Sequence, residues 1–167
     1  MRALRNGFVC FLLLLFFFLL DLQISAFFSS LLPGFWEIHL HLFLFLLMFF
    51  SLDVSENVLL LISFILGFLL DLAYLHRLGV LLLILPVLSF LLARLNKVLL
   101  LASLNRLAAV IILVFAYEWI VSAYGILLGV SNLSLDQFIF YHLAPSLVLN
   151  LVFYLFLQPI FKKLHLM

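Results

Sequence analysis

The sequence predicts an all-α membrane protein whose six transmembrane helices form one bundle. Of its 167 residues, 69% are apolar and only 9% are charged, whereas soluble domains are about 45–50% apolar and about 25% charged. The apolar residues occur in runs close to the roughly 20 residues that a helix needs to cross a bilayer. A soluble fold of this length lacks the volume to bury so much apolar surface, and disorder requires the opposite composition.

Short polar breaks separate the first three spans. The first apolar run covers about 7–26 and ends before the turn signal of 29–34. The second covers about 36–52 and ends at the acidic stretch 53–57, and the third covers about 58–75. The sequence therefore predicts three helices in the first half of the chain.

The second half continues in the same way after a tight connection at 76–79. Its spans lie at about 80–93, 107–130 and 138–160. The apolar stretch 98–104 is too short to span and is either interfacial or a long entry into the fifth helix. A polar loop at 131–137 precedes the last span. We expect the whole chain, 1–167, to form a single integral membrane domain.

The positive charges predict the orientation. With the amino terminus inside, seven of the eight Lys and Arg residues fall on the inner side and Arg77 alone falls outside. Such an excess marks the cytoplasmic face of a membrane protein. The inner set is Arg2, Arg5, Arg94, Lys97, Arg106, Lys162 and Lys163. An even number of spans with both termini inside follows.

The first span has an alternative interpretation. A basic start, an apolar run over 8–20 and a small-residue site at 24–26 resemble a secretory signal peptide. The run is unusually rich in Phe and Leu, and we expect the helix to be retained rather than cleaved.

The third span carries Ser63, Gly67 and Asp71, which follow one another every four residues. This spacing places them along one side of a helix, and the two small residues permit close approach of another backbone. Asp71 lies near the outer end. We favour a local role, in which its carboxylate accepts hydrogen bonds from the turn that ends at Gly79, over a proton relay.

In the fifth span, Glu118, Ser122, Gly125 and Gly129 share one face. Gly125 and Gly129 form a GxxxG pair, which is typical of close helix packing in membranes. Glu118 is the most deeply placed acid and must be paired, protonated or reached by water. His142 or Asn150 of the next helix are its expected partners.

In the sixth span, a polar residue occurs every fourth position. The residues are His142, Ser146, Asn150, Tyr154 and Gln158. Because a continuous polar ridge facing lipid is costly, we expect it to be buried against protein in this bundle or in a partner. Pro145 and Pro159 are expected to limit the regular helix.

The second span opens with Trp36, Glu37, His39 and His41. On a helix, residues two apart lie on nearly opposite sides, so the two histidines would make a poor metal pair. The aromatic and polar cluster is expected to anchor the outer interface.

Catalytic and cofactor signals are absent from the sequence. It contains no GxSxG, phosphate-binding loop, HExxH or CxxC motif, and Cys10 is the single cysteine. With a net charge of +1 and no basic face, nothing favours a nucleic-acid partner. We expect no enzyme activity, no metal and no cofactor.

Two local patterns carry a family resemblance. The run from Gly67 to Leu72, followed by Gly79 at the start of the next span, resembles the central signature of the MreD family of bacterial rod shape-determining membrane proteins. The last span, SLVLNLVFYLFLQPIF followed by two lysines, is similar to the carboxy-terminal helix of that family, with a mid-helix Asn and the late Pro159.

The resemblance implies a non-enzymatic component of the elongation complex that builds lateral peptidoglycan in the bacterial cytoplasmic membrane. Its implied partners are MreC and, through it, MreB and the SEDS glycosyltransferase with its class B transpeptidase, together with the lipid bilayer. The family also resembles in fold the substrate-binding subunit of energy-coupling-factor vitamin transporters, which supplies an alternative function. That alternative expects small residues every four positions in the first helix, where this sequence has Leu and Phe.

Overall fold

Helices form nearly all of the described chain. The structure, a computed structural model, describes residues 7–31, 36–75, 79–99, 103–129 and 134–165, and these ranges contain no strand. This confirms the all-α class. The helices are α1 (Gly7–Leu31), α2 (Leu42–Asp53), α3 (Glu56–Leu70), α4 (Val80–Leu99), α5 (Ser103–Leu127) and α6 (Ala144–His165). A π-helical turn extends α3 over Asp71–Leu75, and a short turn at Leu135–Gln137 and a π-helical turn at Phe138–Leu143 lead into α6.

Four helical stretches are long and apolar enough to cross a membrane, so the chain is a membrane protein. They are Gly7–Leu31, Glu56–Ala73, Asn105–Leu127 and Leu135–Pro159. Two further apolar stretches, Leu42–Asp53 and Val80–Leu95, are shorter than the roughly 20 residues of a full span. Within the described ranges four stretches thus meet the length of a span, and the predicted count of six is not confirmed.

The second predicted span is the largest departure. Residues 36–41 are not helical, and α2 begins only at Leu42. We call 36–41 the extended segment. Apolar composition over 36–52 indicated a span but did not distinguish a full helix from a half-helix preceded by extended chain.

Other helix boundaries also differ from the sequence prediction. α1 runs through Ser29 and Ser30 to Leu31 because a serine can satisfy its hydroxyl inside a helix, as Ser30 does by donating to the Phe27 carbonyl at 2.7 Å. α4 continues past Arg94 to Leu99. α5 begins at Ser103, so residues 98–99 and 103–104 of the apolar stretch 98–104 are helical, and 100–102 lie outside the described residues. Polar and charged residues at a membrane surface do not in themselves end a helix.

Some predicted connections lie outside the described residues. These are the Pro33-Gly34 turn, 76–78 and 131–133.

The last helix also continues through Pro159 to His165, beyond the predicted end at 160.

Backbone contacts divide the chain into two compact units. Unit 1 is Met1–Phe16 with Leu46–Arg106, and unit 2 is Phe17–Phe45 with Leu107–Met167. In unit 1, α3 and α4 pack against each other, burying Leu59, Leu66, Ile84 and Leu88. In unit 2, α5 and α6 accompany the second half of α1 and the extended segment.

Candidate functional site

In unit 1, a buried carboxylate holds the start of α4. Asp71 is fully buried, and its oxygens accept hydrogen bonds from the backbone amides of Gly79 at 2.8 Å, Leu81 at 2.9 Å and Leu82 at 3.1 Å. These amides belong to a helix start, where N–H groups lack partners inside the helix and attract negative charge. The side chain thus has the local role that its position suggested.

Gly67 permits this close approach of α3 to α4. A Cβ atom at Gly67 would lie 2.5 Å from the Leu81 carbonyl oxygen and 2.8 Å from the Leu82 Cα. Because both neighbours are backbone atoms, no side-chain movement relieves the clash. Gly79 has a φ of 117°, a conformation that glycine adopts at little cost. Ser63, on the same side of α3, is buried.

In unit 2, one edge of the extended segment is bonded to the last helix. The Glu37 amide donates to the Tyr141 carbonyl at 3.1 Å. The His39 amide donates to the Ser146 hydroxyl at 2.9 Å. The amides at 37 and 39 are thereby satisfied without a helix or a strand.

Asn150 makes three hydrogen bonds, two of them to that edge and one within its own helix. Its Oδ1 accepts from the His41 amide at 2.8 Å, and its Nδ2 donates to the carbonyls of His39 and Ser146, both at 2.7 Å. The side chain is 1% exposed, so these bonds lie away from water. Asn150 therefore substitutes for the neighbouring strand that an extended backbone normally requires.

The opposite edge is bonded to α1. The Ile38 amide donates to the Ser29 hydroxyl at 3.1 Å, and the Leu40 amide donates to the Ser25 hydroxyl at 2.8 Å. Successive amides of an extended chain point in opposite directions, so even-numbered residues face α1 and odd-numbered residues face the last helix. Irregular backbone is tolerated at membrane depth only where protein satisfies it in this way.

Asp21 caps the start of α2 as Asp71 caps the start of α4. Its Oδ2 accepts from the Phe43 amide at 2.9 Å, and the residue is 4% exposed. The carboxylate lies at the positive end of a short helix, where the helix dipole favours negative charge. Both short apolar helices thus start on a buried aspartate from another helical segment.

Pro145 leaves the Tyr141 carbonyl available for the hydrogen bond from the Glu37 amide. In an α-helix the residue at 145 would donate its amide to the carbonyl at 141, but proline has no N–H. The Tyr141 carbonyl is consequently available to the Glu37 amide. The π-helical turn Phe138–Leu143 ends immediately before this position, and the helix continues through the proline rather than stopping there.

The side chains of the extended segment converge on Glu118 of α5. His41 Nε2 lies 2.8 Å and His39 Nδ1 3.1 Å from the same oxygen, Glu118 Oε1. An ionised carboxylate only accepts hydrogen bonds, so each imidazole donates. The prediction that His142 or Asn150 would pair with Glu118 is wrong, because the segment holding the true partners was expected to be helical.

The same change in backbone overturns the expected role of the two histidines. On a helix His39 and His41 would point apart, but residues two apart in an extended chain point to the same side. His41 is buried and packs its ring against Tyr117, with ring centroids 4.8 Å apart. A role limited to anchoring at the interface does not describe these side chains.

A second carboxylate–histidine pair lies beside the first. His142 Nδ1 is 3.2 Å from Glu37 Oε2, and the His142 and His39 rings have centroids 6.4 Å apart. We call Glu37, His39, His41, Glu118 and His142 the carboxylate–histidine cluster. No group of three or more His, Cys, Asp or Glu residues in the described part of the chain has a geometry suited to a metal ion.

Most of the polar ridge in the last span is buried, as its composition led us to expect. Ser146, Asn150 and Tyr154 are at most 1% exposed and His142 is 7% exposed. Tyr154 packs against the Phe45 ring. Gln158 is half-buried and Pro159 is exposed.

The predicted GxxxG pair has a different outcome. Gly129 lies beyond the end of α5 with a φ of 66°, and no atom comes within 4 Å of where its Cβ would be. Its amide donates to the Ile126 carbonyl, so Gly129 terminates the helix rather than packing against a neighbour in the described chain. Ser122 lines an open groove of about 310 Å³ with Trp119, Ala123, Ile126, Ser134, Leu135 and Phe138, and Gly125 is half-buried.

Sequence reasoning missed the polar side of α1. Asp21, Ser25 and Ser29 recur every four residues and together hold Ile38, Leu40 and Phe43. The signal was the same four-residue spacing that marked the last span. Serine is common enough in membrane helices that the pattern did not stand out beside the Phe and Leu residues.

A family model and one known relative both match nearly the whole chain. The sequence model of the family described as rod shape-determining protein MreD matches residues 1–167. The cell shape-determining protein MreD of Streptococcus pneumoniae is 36% identical over 170 residues, which cover 99% of this chain and 100% of that protein. No solved structure matches significantly.

Proposed function

Because the chain belongs to the MreD family and is therefore a rod-shape membrane component, we propose that it acts as a non-enzymatic scaffold of lateral peptidoglycan synthesis. In this role it binds MreC and, through it, MreB and the SEDS glycosyltransferase with its class B transpeptidase. Family membership over the whole chain is the observation that carries the proposal.

The way in which two helix starts are occupied supports a scaffold. Half-helix starts often bind the anionic groups of substrates in transporters. Here the start of α2 is occupied by the chain's own Asp21, and in unit 1 the start of α4 is occupied by Asp71. These anion sites are filled from within, which favours a fixed structure over a substrate carrier.

We further propose that the chain crosses the membrane six times with both termini cytoplasmic. α2 spans about 18 Å and the six extended residues add about 20 Å, which together exceed the roughly 30 Å of the hydrocarbon core. α4, with 20 residues, is about 30 Å long. The seven-to-one charge split supports the orientation.

Partner contact is assigned to those predicted residues that remain accessible. Ser122 and Gly125 are half-buried on α5, and Gln158 and Pro159 are accessible on α6. Small residues on a membrane helix permit another helix to approach closely. We propose that a transmembrane helix of MreC docks on the α5 face that holds Ser122 and Gly125.

Affinity capture of the tagged full chain from mild detergent, followed by mass spectrometry, tests the proposed partners. Recovery of MreC and wall-synthesis enzymes is expected, and Gly125→Leu should reduce that recovery. Val148→Leu, on an exposed position of α6, is the matched control. Recovery of a coupling ATPase without wall-synthesis proteins would contradict the scaffold function.

The topology has its own test. Reporter fusions after Met167 and at Asp136 should report opposite compartments, the former cytoplasmic. The same compartment for both would overturn the proposed crossing of the last helix.

A further inference from the structure

The carboxylate–histidine cluster forms a continuous series of ionisable groups that leads from the surface into unit 2. The Glu37 side chain is 62% exposed and that of His39 is 42% exposed, whereas those of His41 and Glu118 are 7% and 5% exposed. Glu37 and His39 are thus the accessible members of the series. Its buried end is Glu118, whose single oxygen is shared by two imidazoles.

In the part of the chain that the structure describes, the ionisable groups around the cluster come from three helices. The last helix contributes His142 and α5 contributes Glu118, with the neutral ring of Tyr117 against His41. α1 contributes Asp21, which is bonded to the Phe43 amide. Among the described residues, every recorded ion pair of Glu37 and Glu118 is with a histidine.

The segment that carries these groups depends on side chains for its conformation. An α-helix stays bonded internally when one side chain moves, but the amides at 37–41 are bonded to groups of α1 and the last helix. Displacement of His39 or His41 therefore pulls their amides from Ser146 and Asn150. Charge within the cluster and backbone order are coupled directly.

We propose that the carboxylate–histidine cluster is a proton-operated latch, in which ionised Glu118 keeps the extended segment in place and acid releases it locally. The ring centroids of His41 and His142 lie 6.3 Å and 6.4 Å from that of His39. While Glu118 is ionised, its negative charge attracts both imidazoles that donate to it. When acid neutralises both carboxylates and charges the three imidazoles, three like charges lie close together in a mostly buried site, which is strongly unfavourable. The latch does not rest on the proposed function.

Hydrogen–deuterium exchange of the full chain in lipid nanodiscs, from pH 8 to pH 2, tests the latch. Exchange is expressed as protection relative to the free peptide at each pH, for residues 36–41 and for α3 as an internal reference. In the wild type, the extended segment should lose protection in acid while α3 keeps it. Simultaneous loss in both, or full protection of 36–41 down to pH 2, would overturn the proposal.

Glu118→Gln distinguishes the latch from general acid sensitivity. Without the carboxylate, release should occur at a higher pH than in the wild type, by at least about one unit. Glu56→Gln, which removes an exposed pair with Arg94 in unit 1, is the control and should leave the 36–41 profile unchanged. Equal midpoints for Glu118→Gln and the wild type would refute the latch.

A second variant covers the case in which Glu118→Gln does not fold, as judged by unprotected α3 at pH 7. Glu37→Gln removes only the exposed partner of His142. If the pH at which 36–41 lose half of their protection rises by about half a unit or more, the latch is supported. If that pH is unchanged, the latch is overturned.

Discussion

Replacing Asn150 by leucine removes a side chain of similar volume together with all three of its hydrogen bonds. The His41 amide and the His39 carbonyl lose their partner in a site that is 1% exposed. At the average of about 0.6 kcal/mol for a hydrogen bond in a membrane protein, two bonds amount to about 1 kcal/mol. At about 2 kcal/mol for each orphaned buried group, the loss is about 4 kcal/mol.

We expect a loss of about 3 kcal/mol in the free energy of unfolding, near the upper value. The average of about 0.6 kcal/mol per hydrogen bond comes largely from contacts between helices, whose backbones stay bonded when a side chain is removed. The extended segment has no helical bonds to replace those it loses. Reversible unfolding in mixed detergent micelles, followed by far-UV circular dichroism, measures the difference.

Two variants calibrate this measurement. Ser146→Ala removes the single bond to the His39 amide and should cost about 1 kcal/mol, whereas Val148→Leu on the exposed side of the same helix should change stability by less than about 0.5 kcal/mol. A loss below about 0.6 kcal/mol for Asn150→Leu would refute the argument that Asn150 holds the extended segment.

Three further substitutions test the other structural features. Gly67→Ala should lower the free energy of unfolding by about 2 kcal/mol or more, since overpacking against backbone costs about 1–3 kcal/mol; Gly129→Ala, where only the positive φ is strained, should cost about 1 kcal/mol, and equal losses would contradict the clash. Asp71→Asn should cost about 1–3 kcal/mol in the same assay because an amide offers one acceptor oxygen in place of two; wild-type stability would show that the cap is not needed. Pro145→Ala restores an amide that competes for the Tyr141 carbonyl, so hydrogen exchange at residue 37 should rise severalfold, and unchanged exchange would contradict the role of the proline.

The sequence was sufficient for the class of protein and the family but not for the path of the second span. Hydropathy reports how apolar a stretch is and does not report its backbone conformation, so 36–52 was predicted to be one helix. The ridge from His142 to Tyr154 was recognised because its residues repeat every four positions. What Ser146 and Asn150 of the ridge contact was not predictable, because their partner is an extended backbone rather than a set of side chains.

The error at Glu118 follows from the same source. Its partners His39 and His41 lie 79 and 77 residues away along the chain, and only an extended backbone directs both to one side. A helix at 36–41 would have made that pairing geometrically impossible. By contrast, the role of Asp71 was accessible because its partners lie within 11 residues.

The aspartate that starts α2 also has a consequence for biosynthesis. α1 leaves the ribosome with Asp21 in its middle, and the Phe43 amide that receives this carboxylate follows 22 residues later. A bare carboxylate at the centre of a nascent helix costs about 2.5–3.5 kcal/mol on insertion, and that cost is offset only when the start of α2 arrives. The first helix, the extended segment and the start of α2 are therefore favoured to enter the bilayer as one unit. Glu118 meets the reverse situation, because both of its histidines have already been synthesised when α5 is inserted.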